Sequence, residues 1–258
     1  MAGSGCLTSG TWVDAMLMLR SLAYFLFLVI SILVFGLPLA LLGWLLPSTF
    51  KQAYSNTWSA ANLWALRVIC GLRYRVDGQA HLPDQPAIIM SKHQSTWETI
   101  ALRHIIGGQQ SWVLKRELMW VPVFGWALAT MYPIAINRKA GRRAVKQVLE
   151  QGMGYLERGH HVIIFPEGTR TAPGTKGRYG VGGALLAERS GIDVVPVAHN
   201  AGEFWKRRDL RKYPGTIDVV IGPPVPTTGR KAQEIMRDVE TWIEATVDRL
   251  PSPTRDSQ

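Results

Sequence analysis

The chain has few cysteines and, near its start, a long stretch without any charge. Its two cysteines, Cys6 and Cys70, exclude a disulfide framework and a cysteine-based metal centre. No Lys, Arg, Asp or Glu occurs from Ser21 to Leu46, a run of 26 residues. As one helix this run is about 39 Å long, more than the roughly 30 Å of a hydrocarbon core. We therefore predict a membrane-embedded helical segment over about residues 16–46.

Two helix-disrupting residues leave the form of this segment open. Gly36 and Pro38 are compatible with a single kinked span or with a helical hairpin. A secretory signal peptide fits less well, because its apolar region would be about 7 to 15 residues long.

The segment after the apolar run has helical spacing of its own. Aromatic and apolar residues recur at Tyr54, Trp58, Ala61, Ala65 and Ile69. This spacing predicts an amphipathic helix, lying at the membrane interface or packed on the rest of the protein. Residues 1–70 are thus expected to form a tail, a membrane anchor and an interfacial helix.

Acidic residues are outnumbered, with 19 Asp and Glu against 29 Lys and Arg, a net charge of +10. Residues 1–50 contain only Asp14 and Arg20 as charged residues, so the whole excess lies in residues 51–258. Such a surface attracts anionic lipid headgroups and phosphorylated substrates. No nucleic-acid-binding motif accompanies the charge, so nucleic acid is not an expected partner. The positive-inside rule places this part of the chain in the cytoplasm.

Beyond residue 70, short apolar runs alternate with helical patterns. Strands are predicted near residues 73–77, 87–91, 112–115, 133–136, 161–165, 193–198 and 217–221. Helices are predicted near residues 96–106, 122–131, 140–157, 181–190 and 231–249. This alternation predicts an α/β domain over residues 71–250, with a mostly parallel central sheet flanked by helices on both faces. Residues 251–258 are polar and are expected to form a frayed tail.

The most informative local feature is His93, followed five residues later by Glu98, between a predicted strand and a predicted helix. On one continuous helix these positions would lie roughly 140° apart. The side chains can therefore meet only if His93 lies in the turn and Glu98 in the first helical turn. The carboxylate would then hold one imidazole nitrogen and leave the other to accept a proton. By itself, the pair is equally compatible with a surface histidine beside a glutamate that complements the helix dipole.

Three more strand ends carry distinctive residues. Residues 161–165 run into Pro-Glu-Gly-Thr-Arg at 166–170, a turn and a guanidinium suited to a phosphate. Residues 132–138 are a short apolar strand that ends in Arg138. Residues 194–198 are an apolar strand containing Pro196. Each is a weak signal alone, because an arginine after a strand is usually solvated.

In this order and spacing the four segments resemble the glycerolipid acyltransferase family, which includes 1-acyl-sn-glycerol-3-phosphate acyltransferases. That family has a His-x4-Asp motif, a strand ending in arginine, Phe-Pro-Glu-Gly-Thr-Arg, and a proline-containing strand. The resemblance covers roughly residues 70–225. One departure is Glu98, which stands where aspartate is commoner.

The resemblance implies a fold, a reaction and a set of site residues. It implies transfer of a fatty acyl group from an acyl thioester to the free hydroxyl of 1-acylglycerol 3-phosphate (lysophosphatidic acid), making phosphatidic acid. His93 would be the general base and Glu98 its orienting carboxylate. The acceptor phosphate would be held by a set of basic and turn residues: Lys115, Arg138, Glu167, Gly168, Thr169 and Arg170.

The same resemblance implies no metal and no bound cofactor. The thioester, on coenzyme A or acyl carrier protein, would be a co-substrate, and the enzyme would sit on the bacterial inner membrane facing the cytoplasm. Two alternatives stay open. The acceptor can be glycerol 3-phosphate, another lysophospholipid or a lyso-aminolipid, or the chain can be a non-catalytic module that binds anionic lipid.

Overall fold

The computed structural model describes residues 9–252, in which eight α-helices surround a seven-stranded sheet. The helices are α1 (Ser9–Leu42), α2 (Ser48–Cys70), α3 (Trp97–Ile106), α4 (Phe124–Ala129), α5 (Arg142–Glu157), α6 (Gly182–Ser190), α7 (Ala201–Phe204) and α8 (Ala232–Arg249). The strands are β1 (Leu72–Asp77), β2 (Ile88–Ser91), β3 (Gln110–Lys115), β4 (Ile134–Ile136), β5 (His161–Ile164), β6 (Val194–His199) and β7 (Gly215–Ile221).

The sheet is mostly parallel, as predicted. Its strand order is β1-β7-β6-β2-β5-β3-β4, and the β6–β7 pairing alone among the six is antiparallel. β1 and β7 therefore run against the other five strands. β2 lies near the centre, where Ile89 pairs with Val195 on one side and Ile163 on the other. Because the carboxyl ends of β2 to β6 share one edge, the loops that follow them meet there.

Helices cover both faces of the sheet, which confirms the predicted α/β architecture. On one face Ile89 and Ile163 join a core with residues of α2 and α3, such as Leu66 and Leu102. On the other face the alternate strand residues join a core with α5, α6 and α8. Because the central strands are buried on both faces, their residues are almost all apolar. The sequence therefore shows no alternation of apolar and polar residues in them.

The predicted elements differ from the observed ones mainly at their ends. The helix predicted over residues 122–131 is shorter, because Val123 has a φ of 62° and α4 begins only at Phe124. The four-residue helix α7 was not predicted, since so short a segment has no detectable periodicity.

The N-terminal apolar run forms one continuous helix, so of the two forms left open the single helix is observed and a hairpin broken at Gly36 and Pro38 is not. Helix α1 extends through both residues to Leu42. The reversal comes only at residues 43–47, after which α2 runs back along α1. Among the described residues, α1 is the helix that is long and apolar enough to cross a membrane, with a mean hydropathy of 2.9 over its apolar part.

Helix α2 packs on the α/β domain, with a different buried face from the one predicted. Of the five residues of the predicted stripe, Ala65 alone is fully buried. The buried face includes Gln52, which donates a hydrogen bond to the Gln110 carbonyl at 3.0 Å and accepts one from Arg103 at 3.1 Å. Polar residues with tertiary partners therefore occupy the inner face, and hydrophobic spacing could not identify them.

The first residues of the predicted polar tail are held in place. The Pro251 carbonyl accepts a hydrogen bond from Asn200 at 2.8 Å, and Ser252 is buried and bonded to Glu203. The prediction of fraying is wrong for these two residues. The rest of the tail, like Cys6, lies outside the described residues.

Candidate active site

The turn between β2 and α3 brings His93 and Glu98 into contact. His93 lies in the turn, and Glu98 is in the first turn of α3. The Nδ1 atom of His93 is 2.9 Å from Oε1 of Glu98, and the Glu98 side chain is fully buried. With Nδ1–H donating to this carboxylate, Nε2 is the nitrogen left to accept a proton. The geometry inferred from the five-residue spacing is thus present.

The carboxylate of Glu98 also holds the backbone of the turn. Its Oε1 atom accepts hydrogen bonds from the amide groups of Gln94 at 2.8 Å and Ser95 at 2.7 Å. Its other oxygen, Oε2, is buried and has no hydrogen-bond partner in the described structure. One oxygen therefore fixes both the imidazole and the loop that carries it.

Burial by itself would raise the pKa of Glu98, but its neighbours outweigh this effect. The electrostatic effect of His199 and the hydrogen bonds from His93 and the Ser95 amide favour the carboxylate, so its pKa lies below the usual value. His199 is fully buried at the end of β6. It bonds the Lys92 carbonyl through Nε2 at 2.9 Å, and burial lowers its pKa.

His93 is held at its ring and at its backbone. Its ring stacks on Phe165, with 4.2 Å between the ring centroids. Its amide donates to Oε2 of Glu167 at 2.8 Å, and its carbonyl accepts from the Thr171 amide, also at 2.8 Å. The segment after β5 thus clamps the turn after β2, which keeps the imidazole in one orientation.

Two arginines of the predicted phosphate set lie together beside this turn. Arg138, after β4, donates a hydrogen bond to the carbonyl of Gly168, whose φ of 64° turns the loop after β5. Burial lowers the pKa of Arg138, Glu117 opposes this effect, and the like charge of Arg170 lowers the pKa further. The pKa of Arg170 is likewise lowered by burial and by Arg207, with Glu98 acting the other way. Each arginine thus has another positive charge nearby, and such a grouping favours the binding of an anion.

The remaining predicted residues differ in their surroundings. Lys115, at the end of β3, is half exposed and lies 3.4 Å from the Glu117 carboxylate. Thr169 is exposed at the tip of the loop. Glu167 is completely buried beneath the turn, where its carboxylate contacts the Lys92 ammonium at 2.6 Å. It therefore supports the turn that carries His93 from inside the protein.

Sequence reasoning missed four residues that support this site. Lys92, Thr171 and His199 contact the turn directly, and Glu244 of α8 reaches it through Lys92 at 2.7 Å. Lys92 adjoins the histidine motif and was the one detectable in principle. The position of Glu244 depends on how α8 packs, and no local signal marks it.

Comparison with known proteins identifies the family. The acyltransferase family model matches residues 73–200, which include every predicted site residue. A 1-acyl-sn-glycerol-3-phosphate acyltransferase of Pseudomonas aeruginosa is 42% identical over 238 residues, covering 90% of this chain and 91% of that protein. The chain belongs to the acyltransferase family.

Two other similarities extend over much of this acyltransferase. The bovine 1-acyl-sn-glycerol-3-phosphate acyltransferase alpha is 30% identical over 172 residues, covering 66% of this chain and 60% of the bovine protein. The crystal structure of the 1-acyl-sn-glycerophosphate acyltransferase from Thermotoga maritima has a TM-score of 0.72 at 22% identity. It covers 89% of this chain and 94% of the Thermotoga chain, so the two proteins share a fold over most of their length.

Proposed function

We propose that this acyltransferase moves a fatty acyl group from an acyl thioester to the free hydroxyl of 1-acyl-sn-glycerol 3-phosphate, making phosphatidic acid for phospholipid synthesis. The observation that carries the proposal is the buried His93–Glu98 pair, 2.9 Å apart, beside the loop that carries Arg170 and that accepts a hydrogen bond from Arg138. The names of the Pseudomonas and bovine relatives support the same substrate.

In the proposed reaction His93 acts as the general base. Its Nε2 atom takes the proton of the acceptor hydroxyl as that oxygen attacks the thioester carbonyl. The new C–O bond forms, the C–S bond breaks, and the proton passes from the imidazolium to the departing thiolate. Glu98 keeps Nδ1 protonated and stabilises the transient positive charge. A positioned base of this kind contributes about 10²- to 10⁴-fold to the rate.

The arginines supply recognition of the acceptor. A phosphate between Arg138 and Arg170 would receive charge-assisted hydrogen bonds from two guanidinium groups and relieve their repulsion. Lys115 adds a third positive charge at the end of β3, and Gly168 and Thr169 form the turn between the arginines. This arrangement favours a phosphomonoester acceptor over a neutral one.

The reaction needs no metal and no bound cofactor in this proposal, because a thioester is already activated towards an alcohol. The donor is a second substrate, carried on coenzyme A or on acyl carrier protein. Both share the thioester and the phosphopantetheine arm.

We propose that α1 attaches the enzyme to the membrane by lying along it. Helix α1 contacts the rest of the protein along much of its length: Cys70 bonds the carbonyl of Arg20 within the helix, and Gly43, just after its last residue, packs closely on Thr130. A helix docked along this length cannot leave the domain to cross a bilayer. Its outer face is apolar and exposed, for example 59% at Leu26, and suits insertion into one leaflet.

The positive charge beyond residue 50 supports a location on the cytoplasmic face of a bacterial inner membrane, where anionic headgroups attract basic surfaces. Lysophosphatidic acid and the acyl donor would meet there, with the lipid acceptor arriving from the bilayer. Nucleic acid is not a partner of the enzyme in this proposal.

Thiol release tests the proposed function. Purified enzyme in detergent is given an acyl thioester with and without lysophosphatidic acid. We expect release that depends on the acceptor and that falls at least 100-fold in His93→Ala. His104→Ala, which changes a histidine on α3 away from the pair, is the matched control and should keep wild-type activity.

Two other results would contradict the proposal. Thiol release without any acceptor would indicate a hydrolase. Binding of anionic vesicles with no thiol release would indicate a non-catalytic lipid-binding module. A panel of acceptors, with glycerol 3-phosphate and lysophosphatidylcholine included, identifies the preferred hydroxyl.

A further inference from the structure

A buried cluster of charges lies directly beneath the catalytic turn. We call it the lysine cluster, and it consists of Lys92, Glu167, Thr171, Tyr179 and Glu244. The Lys92 ammonium lies 2.6 Å from Glu167 and 2.7 Å from Glu244. The side chains of Lys92 and Glu167 are at most 1% exposed, and that of Glu244 is 8% exposed.

The hydrogen bonds of the cluster lead to the backbone of His93. Oε1 of Glu167 contacts Lys92 and accepts from the Thr171 hydroxyl at 3.1 Å, while Oε2 accepts from the His93 amide at 2.8 Å. Glu244 contacts Lys92 from the other side and accepts from the Tyr179 hydroxyl at 2.8 Å. A continuous chain of contacts therefore connects Glu244, Lys92, Glu167 and His93.

The cluster joins parts of the fold that are otherwise separate. Glu244 belongs to α8, which packs on the face of the sheet opposite α2 and α3. Lys92 and His93 are adjacent at the end of β2, and Glu167 follows β5. The position of α8 is thus linked to the position of the base.

Burying these charged side chains costs more free energy than a purely structural role would justify. Removing three ionic side chains from water carries a large desolvation penalty, and apolar residues of similar size often stabilise a core as well or better. Burial raises the pKa of Glu167, against the opposing effects of Lys92 and the His93 amide. A site that retains such groups gains directional hydrogen bonds, which fix a backbone more narrowly than apolar packing does.

We propose that Glu244 is a positioning residue for acyl transfer: through the shared Lys92 ammonium it holds Glu167 against the His93 amide and so fixes the catalytic base. This inference rests on the proposed function for its kinetic consequence. Glu244 itself lies on the far side of Lys92 and has no role in binding either substrate.

The test compares Glu244→Gln with Asp248→Asn. The glutamine keeps the size and the hydrogen-bond acceptor of Glu244 but removes its charge, so Lys92 is drawn wholly to Glu167 and the cluster shifts. Asp248 is exposed one turn further along α8 and controls for a lost negative charge on that helix. In Glu244→Gln we expect kcat to fall about tenfold or more, because small displacements of a catalytic group have large effects on rate. KM for both substrates should stay within about twofold of wild type.

Amide hydrogen exchange supplies a readout that does not depend on activity. The peptide covering residues 91–98 should exchange faster in Glu244→Gln than in wild type, because the His93 amide loses a firmly held acceptor. Asp248→Asn should match wild type in both measurements. If Glu244→Gln does not fold, Tyr179→Phe removes the hydroxyl donor alone and should lower kcat in the same direction.

The inference would be overturned if Glu244→Gln had the same kcat and the same amide exchange as the wild type. A change confined to KM would overturn it as well. If wild-type enzyme itself shows no acceptor-dependent thiol release, the proposed function fails. The exchange measurement then still decides whether Glu244 holds the turn.

Discussion

Replacing Glu98 by glutamine separates the charge of this residue from its shape. Glu98 Oε1 accepts from the Gln94 amide, the Ser95 amide and His93 Nδ1 at 2.7–2.9 Å. A glutamine must place its carbonyl oxygen there, because an NH2 group would face two backbone N–H donors. The imidazole then keeps its tautomer and orientation, and the variant loses only the negative charge.

The expected loss of rate follows from that charge. A hydrogen bond to a charged group contributes about 1.5–3 kcal/mol, against about 0.5–1.5 kcal/mol for a neutral one. Unit charges about 4 Å apart near a protein surface attract by about 4 kcal/mol at an effective dielectric constant of 20. An imidazolium forming next to Glu98→Gln is therefore less stable by about 2–4 kcal/mol. At 1.36 kcal/mol per factor of ten, kcat should fall about 30- to 1,000-fold.

The assay is acceptor-dependent thiol release at saturating substrates, with the midpoint of thermal unfolding measured on the same samples. Glu150→Gln, an exposed carboxylate on α5, is the control for loss of one negative charge. A kcat for Glu98→Gln within about threefold of wild type, in a folded protein, would refute the electrostatic role of Glu98.

Aspartate at position 98 gives the complementary experiment. It keeps the charge but shortens the side chain by one bond of about 1.5 Å. Without a backbone shift, the 2.9 Å contact with His93 Nδ1 would then exceed hydrogen-bond range. We expect Glu98→Asp to be more active than Glu98→Gln, since the field of the carboxylate persists. The reverse order would mean that reach matters more than charge.

Three further predictions follow from the same structure. Arg170→Ala should raise KM for lysophosphatidic acid at least tenfold while leaving KM for monoacylglycerol nearly unchanged, because one charge-assisted contact to phosphate is worth about 1.5–3 kcal/mol. An equal rise for both acceptors would argue against the phosphate site. The double variant Leu26→Lys, Leu33→Lys changes the exposed face of α1. It should no longer sediment with phospholipid vesicles but should still release thiol in detergent. Sedimentation equal to wild type would mean that another surface contacts the membrane. The pKa of Glu98 is lowered in the folded protein, so the ionised carboxylate should stabilise the fold fully at neutral pH. This stabilisation should disappear as the pH falls from about 4 through the pKa of Glu98 in the folded protein. Urea unfolding of wild type and Glu98→Gln at several pH values checks this, and a gap that widens on acidification would contradict the sign.

Much of the fold could be predicted because its signals are local. The strands are continuous apolar runs, and the long helices α5 and α8 have clear amphipathic spacing. The contact between His93 and Glu98 was predictable as one of two possibilities, since five residues across a strand–helix turn allow the two side chains to meet but do not require it. The buried face of α2 was not predictable, because Gln52 and other polar residues there are paired with partners distant in sequence.

The amino-acid sequence by itself determined the apolar helix, the alternation of strands and helices, and the order of motifs that places this chain among the acyltransferases. Each of these is visible in residues close together in the sequence or in the order of such segments along the chain. The tertiary structure alone decided that α1 lies along the domain, and that Glu244 reaches Lys92 across 152 residues of chain. Ion pairs and hydrogen bonds between distant segments depend on how finished helices and strands pack, and side-chain periodicity carries no information about that packing.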